Sequence, residues 1–170
     1  LLLLLEAHNM PCNRLISPVN SEILTTFATI DVVKPVILKD YIEGQVVKQL
    51  DETMLSEVGR QAARLNHKPP PDYSPTNHPY RRQFFSRVIG LNIDAKYESW
   101  MAKEIDYLEQ NIAKNLPRGL IHGDLFYDNL LFNPLSSMPG GFKAIIDFED
   151  TCHYHLIFEL GMGILGTCLN

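Results

Sequence analysis

The chain has 170 residues, 45% of them hydrophobic and 21% charged, with a formal net charge of −5. That length allows one domain with a sizeable core, and the composition is ordinary for a soluble globular protein. The acidic balance argues against nonspecific nucleic-acid binding, and three cysteines without a C-x-x-C pair favour a reducing, cytoplasmic setting.

The sequence opens LLLLLEAHNM. Five leucines fall far short of the roughly 20 apolar residues that cross a bilayer. A basic n-region and a small-residue cleavage site are both missing, so no signal peptide is expected. Residues 1–8 read as the last turns of a helix. The other end, Leu165-Gly166-Thr167-Cys168-Leu169-Asn170, stops inside an apolar helical pattern. Both ends read as cuts in a longer protein.

Pro11 and Pro18 bracket a loop. Residues 23–30 (ILTTFATI) are β-branched and aromatic, Asp31 begins a turn, and residues 34–41 (KPVILKDY) follow as a second strand. Together they predict a hairpin. Ile42-Glu43-Gly44 ends it, and on these residues alone an ordinary strand and turn is a sufficient account.

Leu50, Met54, Val58, Ala62 and Leu65 recur at helical spacing, which predicts a helix over 51–65 with Asp51 as N-cap. His67 at its end reads as structural rather than catalytic. Residues 67–79 (HKPPPDYSPTNHP) hold five prolines and no periodicity, so a loop is expected. Arg81, Arg82 and Arg87 with Phe84 and Phe85 could meet an anionic group, although a solvated basic face is the simpler account. Tyr97, Met101, Ile105, Leu108 and Ile112 predict a helix over 94–115, stopped by Pro117.

The stretch 120–148, LIHGDLFYDNLLFNPLSSMPGGFKAIIDF, carries the chemistry. Apolar runs at 130–132 and 143–148 flank Met138-Pro139-Gly140-Gly141, which predicts a β-hairpin with a long connection. Antiparallel pairing would bring Asn129 and Asp147 to its open end, and Asp124 stands five residues before Asn129. An Asp, an Asn and a second Asp then converge. Oxygen ligands of this kind suit Mg²⁺, which takes one or two carboxylates plus waters and phosphate oxygens. Asn129 and Asp147 are the expected metal ligands, and Asp124 the expected base. His122 has no second His at ligand spacing and reads as a hydrogen-bonding strut for the loop. Glu149 and Asp150 either bind a cationic amine of an acceptor or face water. Glu159 is expected to support the loop without touching metal. The sequence contains no G-x-x-x-x-G-K-[ST] loop, no G-x-S-x-G elbow and no transmembrane run.

The order H-x-D-x₄-N, then hydrophobic-Asp-Phe 18 residues after the Asn, resembles the division of labour in protein kinases. His122-Gly123-Asp124-Leu125-Phe126-x-Asp128-Asn129 is similar to the aminoglycoside phosphotransferase and choline kinase superfamily, closest to its homoserine kinase type. Ile146-Asp147-Phe148, Cys152, Leu156, Phe158 and Leu160 continue the match, while Glu159 stands where that type usually has Asp and Gly161 where it often has Ala. The resemblance implies an α+β, protein-kinase-like fold in truncated form. Residues 1–43 would be the end of the small lobe and the hinge, and 44–170 the first part of the large lobe. It places adenine contacts on the backbone around Asp40, Tyr41 and Ile42, and a phosphate-covering loop with its Lys upstream of Leu1. It implies ATP and Mg²⁺, with homoserine or a related amino alcohol as acceptor. Hydroxylysine, choline, an aminoglycoside or a sugar remain alternatives, as do a nucleotide-binding pseudokinase and a metal-dependent phosphohydrolase.

Overall fold

A computed structural model describes residues 1–17, 25–29, 32–79 and 82–169. Residues 23, 24 and 30 of the first expected strand lie outside that set, as do Pro18, Asp31, Arg81 and the side chain of Arg82. The expected hairpin is present as β1 (Thr25–Ala28) and β2 (Val33–Val36), antiparallel with Thr25 opposite Val36. Thr29 closes the turn, its N–H donating to the Val32 carbonyl. β2 stops at Val36 rather than at residue 41 because the chain changes partner. The Ile16 N–H donates to the Leu38 carbonyl and the Asp40 N–H to the Arg14 carbonyl, each at 2.9 Å. Residues 37–40 therefore run beside 14–16.

The first residues form α1 (Leu2–Ala7), which buries Leu5 against Met10, Cys12, Leu65 and Leu120. The next helix is α2 (Glu52–Asn66), within a residue of expectation at each end. The Asp51 carboxylate accepts the Met54 N–H at 2.8 Å, satisfying one of the orphan donors of the first turn. Val58 and Ala62 bury into a second cluster with Leu125, Leu130, Phe132, Phe142 and Ile145. Residues 67–79 carry no regular element. After them come a single turn, α3 (Arg82–Phe85), and then α4 (Ala95–Asn111), capped by Asp94. α4 ends four residues short of the expected 115. The Asn111 side chain turns back onto the Tyr107 carbonyl at 2.7 Å, and Ile112 is extended with ψ 122°. Helix residues with short amide side chains compete for backbone partners in this way.

Three two-stranded sheets make up the strand content of the described residues. Besides β1–β2, there is β4 (Leu130–Phe132) with β5 (Phe142–Ile145), pairing Leu130 with Ile145 and Phe132 with Phe142. Gln45 joins the outer edge of β4, exchanging both backbone bonds with Phe132 at 2.8 and 2.9 Å. The connection needs its glycines. Gly140 has φ 64°, and a Cβ there would fall 2.9 Å from the Met54 backbone nitrogen at the start of α2. β5 ends at Ile145, before the expected 148, because Asp147 turns into the left-handed region.

The third sheet was not foreseen. β3 (Arg118–Ile121) pairs antiparallel with β6 (Cys152–His155), Ile121 opposite Cys152. This pair clamps the two ends of the segment that holds the candidate residues. The last element, α5 (Leu156–Cys168), follows β6 directly. Among the described residues no helix is long and apolar enough to cross a membrane.

Candidate active site

β3 delivers His122, Gly123 and Asp124 from a fully buried strand end, Leu120 and Ile121 having no exposure. Glu159, on the first turn of α5, holds this corner. Its Oε1 accepts the His122 N–H at 2.8 Å and its Oε2 the Gly123 N–H at 3.0 Å. Burial pushes the Glu159 carboxyl up, while the bonds from Gly123 and His122 pull it back down. Replacing it by Leu would strand two buried donors, each costing about 1–3 kcal/mol. Glu159→Leu is therefore expected to lower the unfolding free energy by roughly 2–6 kcal/mol in urea titration, and Glu159→Gln by less. A loss under about 0.5 kcal/mol would refute the clamp, since that is the ordinary scatter of surface changes.

His122 is fully buried and both ring nitrogens are engaged. Nδ1 accepts the Asp124 N–H at 3.3 Å, and Nε2 lies 2.9 Å from the Ile146 carbonyl, so Nε2 carries the hydrogen. The ring also meets Phe148 edge-on at 4.8 Å. His122 thus ties the entry of the loop to the residue before Asp147, and no nitrogen is left for a metal.

A short 3₁₀ turn over Tyr127–Asn129 brings Asn129 back to Asp124. The Asn129 Nδ2 donates to the Asp124 backbone carbonyl at 2.8 Å and to its Oδ2 at 2.9 Å. Two acceptors fix which end of the amide is nitrogen, so Oδ1 is the end that can face a cation. Ile146 donates its N–H to the Asn129 carbonyl at 3.0 Å, which sets Asp147 beside Asn129 at the open end of β4–β5. Asp147 has φ 62° and ψ 66°, and its side chain is exposed. A left-handed Asp costs roughly 1 kcal/mol or more, a strain that persists at sites where the side chain must point in one direction. Among the described residues no group of three or more His, Cys, Asp or Glu stands together. One carboxylate and one amide oxygen, completed by waters or phosphate oxygens, still make a reasonable Mg²⁺ ligand set.

Asp147, Phe148 and Glu149 form one wall of a cavity of about 250 Å³, with Leu15, Ile37 and Lys39 on another. Asp40, Tyr41 and Ile42 follow Lys39 and do not line it. The Asp40 N–H is already donated to Arg14, and its carbonyl accepts the Asn13 Nδ2 at 2.9 Å. Tyr41 is 88% exposed. Glu149 and Asp150 part company: Glu149 faces the cavity, whereas Asp150 is half-buried with its carbonyl against Gly123. His67 bonds the Ala63 carbonyl of its own helix, and Arg87 lies 5.5 Å over the Phe84 ring, away from these residues in sequence and partner. The fold brings Asp124 and Asn129 together, and Glu159 bonds the backbone of the same loop. The left-handed turn at Asp147 is not announced by the sequence, because Asp visits φ > 0 only occasionally and no glycine marks the position.

The family model described as APH, phosphotransferase enzyme family, matches residues 1–168. A homoserine kinase of Afipia carboxidovorans is 27% identical over 173 residues, covering 98% of this chain and 48% of the relative. A homoserine kinase of Zymomonas mobilis is 36% identical over 78 residues, 46% of this chain and 23% of the relative. The chain thus spans about half the length of the curated relatives it matches. Among solved structures, a microcompartment-associated aminopropanol kinase superposes with a TM-score of 0.72 at 16% identity, over 96% of this chain and 55% of that one. An amicoumacin kinase in complex with AMP-PNP, Ca²⁺ and Ami gives 0.66 at 16% identity, over 96% of this chain and 50% of that one. At such identities the structural likeness speaks for the fold, and the α+β, protein-kinase-like fold expected from the loop motif is the one found.

Proposed function

The chain belongs to the phosphotransferase enzyme family, and from that premise we propose that it carries the catalytic centre of a small-molecule kinase. The reaction is transfer of the γ-phosphoryl group of ATP to the hydroxyl of a small amino alcohol, homoserine or a close relative. The observation that carries the reading is the arrangement around Asp124. Its Oδ2 is held by the Asn129 amide nitrogen, the Asn129 oxygen points away from it, and the strained Asp147 carboxylate stands alongside.

In this reading Asp124 accepts the proton of the acceptor hydroxyl as its oxygen bonds to phosphorus and the bond to the ADP oxygen breaks. Asn129 Oδ1 and Asp147 hold Mg²⁺, which supplies positive charge to the phosphate oxygens. The protein's share is mostly positioning, because the transition state of phosphoryl transfer asks for little covalent chemistry. The hinge takes the adenine. With the Asp40 N–H spent on Arg14, the base meets the Asp40 carbonyl and the backbone groups of Tyr41 and Ile42. Residues 1–43 then act as the end of the small lobe and 44–170 as part of the large one, in a cytoplasmic protein. His122 and Glu159 hold the loop. Glu149 and Asp150 are the acidic residues offered to an acceptor ammonium; Glu149 faces the cavity, and Asp150 lies in the turn whose backbone meets Gly123.

The relatives named homoserine kinase and the aminopropanol kinase neighbour support an amino alcohol as acceptor. The test is ADP release with Mg·ATP and a panel of homoserine, hydroxylysine, choline, an aminoglycoside and a sugar. Homoserine or another amino alcohol is expected to raise ADP release well above the acceptor-free rate. A rate unchanged by every alcohol, with ATP still bound, would contradict the reading.

A further inference from the structure

His78 lies in the proline-rich segment 67–79, yet it has no exposed surface. The segment is pinned from the strand pair. The His153 N–H donates to the Pro75 carbonyl at 2.8 Å. Arg118 Nη2 donates to the Thr76 carbonyl at 2.8 Å and to the His153 carbonyl at 2.7 Å. The same guanidinium lies 5.5 Å over the Tyr154 ring. These bonds turn His78 inward, onto Phe158 at 4.5 Å and Tyr154 at 6.3 Å between ring centroids.

The opposite edge of the imidazole meets the loop that carries Asp124. Gly123 has φ 88°, and a Cβ at that position would lie 2.6 Å from His78 Nε2 and 2.7 Å from the Asp150 carbonyl. Gly123 is therefore squeezed between the ring and the turn that follows Asp147. Its N–H is held from another side by Glu159. Burial holds the imidazole below its usual range, against the pull of the Asp150 and Asp124 charges.

The geometry points to His78 as a positioning residue for phosphoryl transfer. It fixes Gly123 in its left-handed conformation and so aims the Asp124 carboxylate at the acceptor hydroxyl. The inference rests on the reading of Asp124 as the base. The size of the effect follows from how steeply rate falls with misalignment, about 10²-fold for a displacement of 1 Å.

The experiment compares His78→Ala and His78→Gln in steady-state kinetics, using the alcohol that supports turnover, with thermal melting of each variant. His78→Ala is expected to lose about 10–100-fold in kcat, with KM for ATP held within about twofold. Gln places an amide nitrogen near the position of Nε2 and is expected to recover kcat to within about threefold of wild type. If His78→Ala does not fold, His78→Asn replaces it; its amide is one methylene short of Gly123 and the same kcat loss is expected. A pure packing role would lower the melting temperature and leave kcat of the folded protein intact. Wild-type kcat in Ala or Asn, or equal losses in these and in Gln, overturns the proposal. Asp124→Asn is run alongside: wild-type turnover there removes the base reading and this proposal with it. Loss of turnover in Asp124→Asn beside full kcat in His78→Ala removes this proposal alone.

Discussion

Asp147→Ala is expected to abolish Mg·ATP-dependent turnover, a loss of more than about 10³-fold in kcat/KM. The physical case is the concentration of charge. In the proposed reading the transferring phosphoryl group carries negative charge, which a divalent cation held at Asp147 would neutralise. Asn129 is neutral, and Asp124 has its Oδ2 turned onto the Asn129 amide. Asp147, set beside Asn129 at the open end of the hairpin, is thus the carboxylate proposed to carry a divalent cation to the phosphates. The fold holds it there at a cost, since its φ of 62° lies in the region that non-glycine residues avoid. Ala at 147 keeps that backbone and loses the ligand, so the melting temperature should move little while activity disappears. Turnover equal to wild type would refute the metal assignment.

Asp124→Asn is expected to cut kcat by roughly 10²–10⁴-fold, the usual range for a general base. The substitution keeps a side-chain oxygen that can accept from Asn129 Nδ2, and the backbone carbonyl bond from the same amide is untouched. The geometry therefore survives and only proton acceptance is lost. Nucleotide affinity, read by fluorescence or calorimetric titration, should stay within about threefold of wild type because the proposed reading sets the residue against the acceptor and not the nucleotide. A parallel collapse of nucleotide binding would mean that Asp124 holds the metal or the loop instead.

Much of this site was legible because its residues are close in sequence. Asp124 and Asn129 are joined by a turn of a few residues, and the hairpin that carries Asn129 to Asp147 is announced by two apolar runs and a Pro-Gly-Gly connection. The helices α2 and α4 were equally plain, each with an acidic cap and a helical stripe. What escaped lies between distant segments. β3 and β6 are four residues each, and Cys-His-Tyr-His has no alternation that marks a strand, so only their pairing reveals them. The early end of β2 depends on a competing partner at residues 14–16. His78 escaped for the same reason. A lone His among prolines carries no spacing signal, and its burial is created by Arg118 and His153, some 40 and 75 residues further on.

The central claim is that Asp124, Asn129 and Asp147 form a phosphoryl-transfer centre, and phosphorus NMR of the reaction mixture tests it most directly. With Mg·ATP and the active amino alcohol, the account predicts a new phosphate monoester resonance that grows in step with ADP. The ester should not form with Asp124→Asn. Inorganic phosphate appearing in place of the ester, or an ester formed equally well by the Asn variant, would contradict it.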